Sequence, residues 1–293
     1  MMKFTLSDRR RGARMYAPDE GRWKGVDALG EKYVGWSPYN YVMGNPIKFI
    51  DPDGEEIWII GEDNNRYRYD GGKIYNASGD EVDQDKVEEK IQQLIGLFNQ
   101  IGEAEKGGEI LTQLTTSSSK YNFNSQKDPN AKGGMTTIKQ SDGGLVNFSN
   151  LANIIEKAKG SFGKNIANVA GIDAVANELF HLFQIEHGEY ESSLSSELQS
   201  TIFSRSIVES VEGDGRYLSM TSNFVFGTGK KGEELRNIVQ NIENSNEINP
   251  SSFKLAIRLY KASTEGRNHQ MNRMLKKGDI NAPTLNRLLP LKK

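Results

Sequence analysis

Apolar and polar residues alternate in short runs over the first 80 or so positions and then switch to a helical spacing. Ile57 to Ile60, Tyr67 to Tyr69 and Lys73 to Tyr75 read as strands of a small meander, being rich in β-branched and aromatic residues and separated by Asn-Asn and Gly-Gly turn signals. From Val87 the period changes. Val87, Ile91, Leu94, Ile95, Phe98 and Ile101 follow the i, i+4, i+7, i+8 pattern that places them on one helical face. A second short helix is expected at about Gly108 to Leu114 and a strand around Tyr121 to Asn124. "NSQKDPNAKGGMTTIKQSDGG" reads as a polar, Gly-rich loop or hairpin, and "GGLVNFSN" as a short edge strand. From Ile166 onward the pattern is mainly helical, broken at "GTGKKGEE" (227–234) and "ENSNEINPSS" (243–252), and no internal repeat is present. The fold class expected is therefore α+β, mostly helical.

The first 54 residues stand apart. They are rich in Tyr, Trp, Gly and Pro, with turn formers such as "NPI" and "DPDG", and they hold too few apolar side chains to fold alone. Residues 1–54 are thus expected to end something larger, and residues 55–293 to form the main unit. The chain has 293 residues, enough for one large or two modest domains. No stretch approaches the roughly 18 consecutive apolar residues of a membrane span, and the amino end lacks the apolar run of a signal peptide. Any export must then use another route.

Cysteine is absent, which excludes disulfides, thiolate zinc ligands and thiol nucleophiles. The 37 basic and 39 acidic residues nearly balance, but unevenly along the chain. From Ser252 to Lys293 ten Lys/Arg face only Glu265 and Asp279, a net of +8, leaving about −10 for the rest. A basic tail of this kind packs on an acidic surface or touches nucleic acid or anionic lipid. His269, Arg267 and Arg273 within it permit a nuclease-like site, although no carboxylate cluster for magnesium accompanies them. "GTGKKGEE" lacks the spacing of a phosphate loop, and no G-x-S-x-G elbow signals a serine hydrolase.

Two of the three histidines lie in "VANELFHLFQIEHG", residues 175–188. On a helical wheel Val175, Leu179, Leu182 and Phe183 share one side, while Asn177, His181 and Gln184 line the other with Glu178 beside them. An amphipathic helix with a solvated polar face accounts for this pattern. So does a zinc-peptidase helix one residue short of its signature, because Asn177 stands where H-E-x-x-H has its first histidine. An amide oxygen is a weaker ligand than imidazole for a borderline-soft metal. His187 lies six residues beyond His181, about 240° around the helix, and cannot replace the missing ligand.

Residues 12 to 54 closely resemble the carboxy-terminal part of the RHS-repeat-associated core. The matching residues are Gly12 to Trp23, Val26-Asp27-Ala28-Leu29, Ser37 to Tyr41 and Asn45 to Gly54. In that family a β-shell of repeats encloses a variable toxin that follows the D-P-x-G junction. The resemblance implies that the segment from Glu55 is an effector delivered to competing bacteria and blocked by a cognate immunity protein. Its other expected partners are the RHS shell or secretion apparatus and a protein substrate. It would be made in the bacterial cytoplasm and secreted or delivered into a target cell without a classical signal peptide. Some RHS cores are thought to cleave themselves with two aspartates, and Asp27 and Asp51 fall where such a pair would lie. Both also read as ordinary turn aspartates, and Ala28 departs from the usual proline.

The cargo is in turn similar to zincin metallopeptidase effectors. "NELFHLFQ" looks like their "HELFHAYQ" helix, and Glu197, sixteen residues after His181, lies where gluzincin-type enzymes place a glutamate ligand. The resemblance implies Glu178 as general base, His181 and Glu197 as metal ligands, Asn177 in the remaining ligand place, and zinc as the cofactor, weakened by Asn177. Three explanations of Asn177 stay open: a diverged or catalytically silent subfamily, a substitution that silences a toxin, or recruitment of another ligand such as His269. The other readings are a nuclease toxin that uses the basic carboxy-terminal region on nucleic acid, and a silent binding module.

Overall fold

Alternation in the strand runs produces a sheet with one apolar face, and the helical runs cover that face. The computed structural model describes residues 57–117, 119–127, 134–162, 164–191, 193–212, 225–263 and 282–291, with three short strands before them. Those strands, β1 (Arg9–Arg11), β2 (Arg14–Ala17) and β3 (Arg22–Trp23), form an antiparallel sheet in the order β1-β2-β3. The rest of the RHS-like stretch, with Asp27 and Asp51, lies outside the described residues.

The main sheet has seven strands: β4 (Ile57–Ile60), β5 (Arg66–Asp70), β6 (Lys73–Tyr75), β7 (Glu81–Val82), β8 (Lys120–Asn124), β9 (Thr136–Gln140) and β10 (Gly143–Asn147). Their order is β7-β6-β5-β4-β8-β10-β9. β8 runs parallel to both neighbours and all other pairs are antiparallel, so the sheet is mixed. Register aligns Ile57 with Tyr121, and Ile59 with Phe123, which in turn sits opposite Val146. All five side chains are completely buried.

Helix α1 (Glu89–Glu103) lays its apolar stripe on this face: Phe98 meets Tyr69 and Phe123 edge-on, with centroids 4.9 and 5.0 Å apart. After α2 (Glu105–Thr115) and the β8–β10 segment come α3 (Leu151–Phe162), α4 (Lys164–Glu186) and α5 (Leu194–Glu212). They are followed by α6 (Gly229–Glu243), α7 (Pro250–Ala262) and the single turn α8 (Pro283–Asn286). Asn249 caps α7 by accepting from the Ser251 and Ser252 amides, with Pro250 at the first helical position. Buried apolar side chains from Ile57 to Leu288 form one core. The architecture is α+β and mainly helical, and no helix among the described residues is long and apolar enough to cross a membrane.

Helix α4 is the centre of that core. It touches α1, α2, α3, α5, β9 and β10, so no side of it is left for solvent over Val175 to Ile185 apart from the half-buried Asn177. Against β10 the approach is so close that a Cβ on Gly144 would lie 2.5 Å from Leu182 Cδ2, which explains a glycine in mid-strand.

Three local expectations are corrected and one open alternative is resolved. "GGLVNFSN" does not form an edge: β10 lies between β8 and β9, and the edge is β9, inside the stretch read as a loop or hairpin. The hairpin alternative is the one adopted, with β9 and β10 joined at Ser141–Asp142. Leu151–Phe162 is helical although no element was expected there. Helix α6 begins at Gly229, so most of the supposed "GTGKKGEE" break is helix, permitted by glycines at positive φ on either side of Thr228.

Candidate functional site

Helix α4 contributes Glu178 and His181 one turn apart, and the first turn of α5 brings Glu197 to them. The Nε2 of His181 lies 3.6 Å from Glu197 Oε1, with both side chains nearly inaccessible. Glu178 is buried and accepts a hydrogen bond from Thr137 Oγ of β9 at 2.5 Å. Tyr190, just after the turn that ends α4, sets its ring edge-on to His181 (centroids 5.4 Å apart) and donates its hydroxyl to the Thr137 carbonyl at 3.2 Å. The sheet edge, two helices and a loop therefore converge on the Glu178–His181 pair. The polar stripe read from the wheel is not a solvated face. His181 is 4 % exposed and Gln184 not at all, because α5 and the sheet edge cover that side of α4.

Electrostatics follow from this burial. Burial works to remove the His181 proton, but the facing Glu197 carboxylate, its hydrogen bond, Glu178 and Gln184 outweigh it and push the imidazole up to about 9. Burial pushes Glu178 up, helped by Glu197 and opposed by His181 and Thr137. Burial, with Glu197 and Glu178 adding to it, pushes Tyr190 up to about 12.

A raised folded-state value means that protonated His181 is favoured by folding. That stability is fully present below the ordinary value near 6.5 and is lost as pH rises through about 9. The raised Glu178 acts in the same direction, its protonated form being favoured. Metal-free protein is therefore expected to lose on the order of 2–3 kcal/mol of unfolding free energy between those limits, measured by urea titration at each pH. His181→Leu is expected to flatten the profile. An equal slope in the variant would show that other groups carry it.

Asn177 is turned away from the pair. Its Nδ2 donates to Ser200 Oγ at 2.9 Å, and Ser200 donates at the same distance to the Glu197 carbonyl, so the amide ties α4 to α5. His187 stands just past the end of α4, donates Nδ1 to the Phe183 carbonyl at 2.9 Å and packs on the Phe183 ring. It takes no part in the site. His269, Arg267 and Arg273 lie outside the described residues. Among the described residues no group of three His, Asp or Glu side chains is gathered closely enough to hold a metal ion. The imidazole of His181 and the carboxylate of Glu197 are donors of the types zinc takes, two of the three protein ligands of a catalytic site; the residue at the third sequence position, Asn177, is a weak donor and is turned to Ser200 instead.

Thr137, Tyr190 and Ser200 were not visible as site residues in the sequence. Thr137 is hidden in a polar segment whose alternation, "TTIKQ", is the only sign of a strand, and Tyr190 and Ser200 belong to no local pattern. No protein family, no characterised protein and no solved structure gives a match to the chain.

Proposed function

We propose that the segment from Glu55 is the C-terminal toxin of an RHS-family polymorphic toxin, with a hydrolase site of the metallopeptidase type at Glu178, His181 and Glu197. The observation that carries the chemistry is the approach of Glu197 Oε1 to His181 Nε2, with Glu178 buried one turn away on the same helix. Two acids and an imidazole brought out of water between two helices are expensive to maintain for packing alone. The RHS reading rests on Gly12 to Gly54.

In this site His181 Nε2 and the Glu197 carboxylate would hold the metal. A zinc ion there supplies Lewis acidity that makes water nucleophilic near neutral pH. Glu178, raised by burial, would take a proton from an attacking water and return it to a leaving amine. Thr137 fixes that carboxylate. β9 is the end strand of the sheet, and an extended peptide can add to such an edge, which suits a protein substrate. A second reading, a catalytically silent binding module, draws support from the Asn177–Ser200 bond, since it ties up the side chain in the third ligand place.

Expression of residues 55–293 in a bacterial cytoplasm separates the two. Asn177→His is expected to stop growth, and addition of Glu178→Gln to restore it. Equal growth of Asn177→His and the doubly substituted chain would favour the silent module.

A further inference from the structure

Gln184 is fully buried between Phe183 and Ile185, and its Nε2 has no hydrogen-bond partner. An amide with orphaned donors in such a place is destabilising, and a methionine would fill the same volume without that penalty. Its oxygen, by contrast, is used twice: Ser196 Oγ donates to Oε1 at 2.6 Å, and His181 Nδ1 lies 2.9 Å from the same atom.

We propose that Gln184, held by Ser196, is the positioning residue of His181: its amide oxygen accepts from Nδ1 and keeps a proton there, so that Nε2 is the edge turned to Glu197 and the nitrogen that would give up its proton to a cation. This assignment rests on the hydrolase reading of the site and adds to it the group that orients the ligand. A turned amide would set its own donor against the Nδ1 proton, and the ring proton left after a cation binds or pH rises would then stay on the nitrogen that faces Glu197, blocking it. Ser196 stops that turn by donating to the oxygen. The first turn of α5 thus controls both edges of the imidazole, Glu197 directly at Nε2 and Ser196 through Gln184 at Nδ1. A neutral acceptor suits this position. A glutamate here would be a third buried carboxylate beside Glu178 and Glu197, costly to desolvate, and would hold the second ring proton still more firmly against a cation.

The test uses the zinc-free full chain and the imidazole 15N–1H spectrum, which three histidines keep simple. A slowly exchanging Nδ1 proton is expected for His181, assigned by its loss in His181→Gln. It should vanish in Gln184→Met, persist in Gln184→Glu, and exchange faster in Ser196→Ala, where the amide is free to turn. Zinc Kd, by chelator competition, is expected to rise about 10- to 100-fold in Gln184→Met. A wild-type Nδ1 proton that is absent or in fast exchange overturns the assignment, as does a protected one that survives in Gln184→Met. A protected proton in a chain that binds no zinc upholds the positioning role and overturns the metal reading alone.

Discussion

Asn177→His is expected to tighten zinc binding by on the order of 100-fold or more, since it replaces a weak amide donor by imidazole at the position one helical turn before His181. The i, i+4 spacing places both rings on one side of α4, where Glu197 already faces His181. Loss of the Asn177–Ser200 hydrogen bond offsets this by about 1 kcal/mol of fold stability, well below the gain in binding. Binding must also expel the His181 proton, because the imidazole stands at about 9 without metal. Apparent affinity is therefore expected to climb about tenfold per pH unit below that value. Chelator competition between pH 6 and 8 measures both effects. Equal zinc affinity of the variant and the wild-type chain would remove position 177 from the site.

Phe180→Ala is expected to destabilise the protein by about 3–5 kcal/mol, the largest effect of any single truncation near the site. Phe180 is completely buried and packs on Phe183 and, across the helix interface, on Phe203 of α5, with centroids 6.2 and 5.1 Å away. The side chain is a spacer as well as core: the α4–α5 separation it maintains is the one that sets His181 against Glu197. Urea titration should show a lower midpoint at unchanged slope, and the Nδ1 proton of His181 should exchange faster even where the fold is intact. A loss under 1 kcal/mol would mean that the neighbours collapse into the vacated space.

Where the sequence carried a strong period, it was legible. The stripe from Ile91 to Ile101 became α1, and Ile57–Ile60 and Lys73–Tyr75 became strands as read. Helix α4 was placed correctly but its polar side was not, because a helical wheel cannot tell a face covered by water from one covered by another helix. Only the tertiary position of α5 makes His181 and Gln184 interior residues. The pairing of His181 with Glu197 was visible as a spacing along the chain, whereas Thr137 reaches Glu178 across 41 positions through a strand that the glycines and polar residues around it concealed. β10 reads as an edge because its short run looks isolated in the sequence. Its neighbour β9 has only one half-buried residue and no apolar pattern to announce it.

The claim that Glu178, His181 and Glu197 form one metal-dependent site is tested most directly by anomalous diffraction at the zinc edge from crystals of the chain and of Asn177→His soaked in zinc. Expected is a single strong peak about 2.0–2.2 Å from His181 Nε2 and a Glu197 carboxylate oxygen, at higher occupancy in the variant. Zinc bound elsewhere, or no peak between α4 and α5 in either crystal, would contradict it.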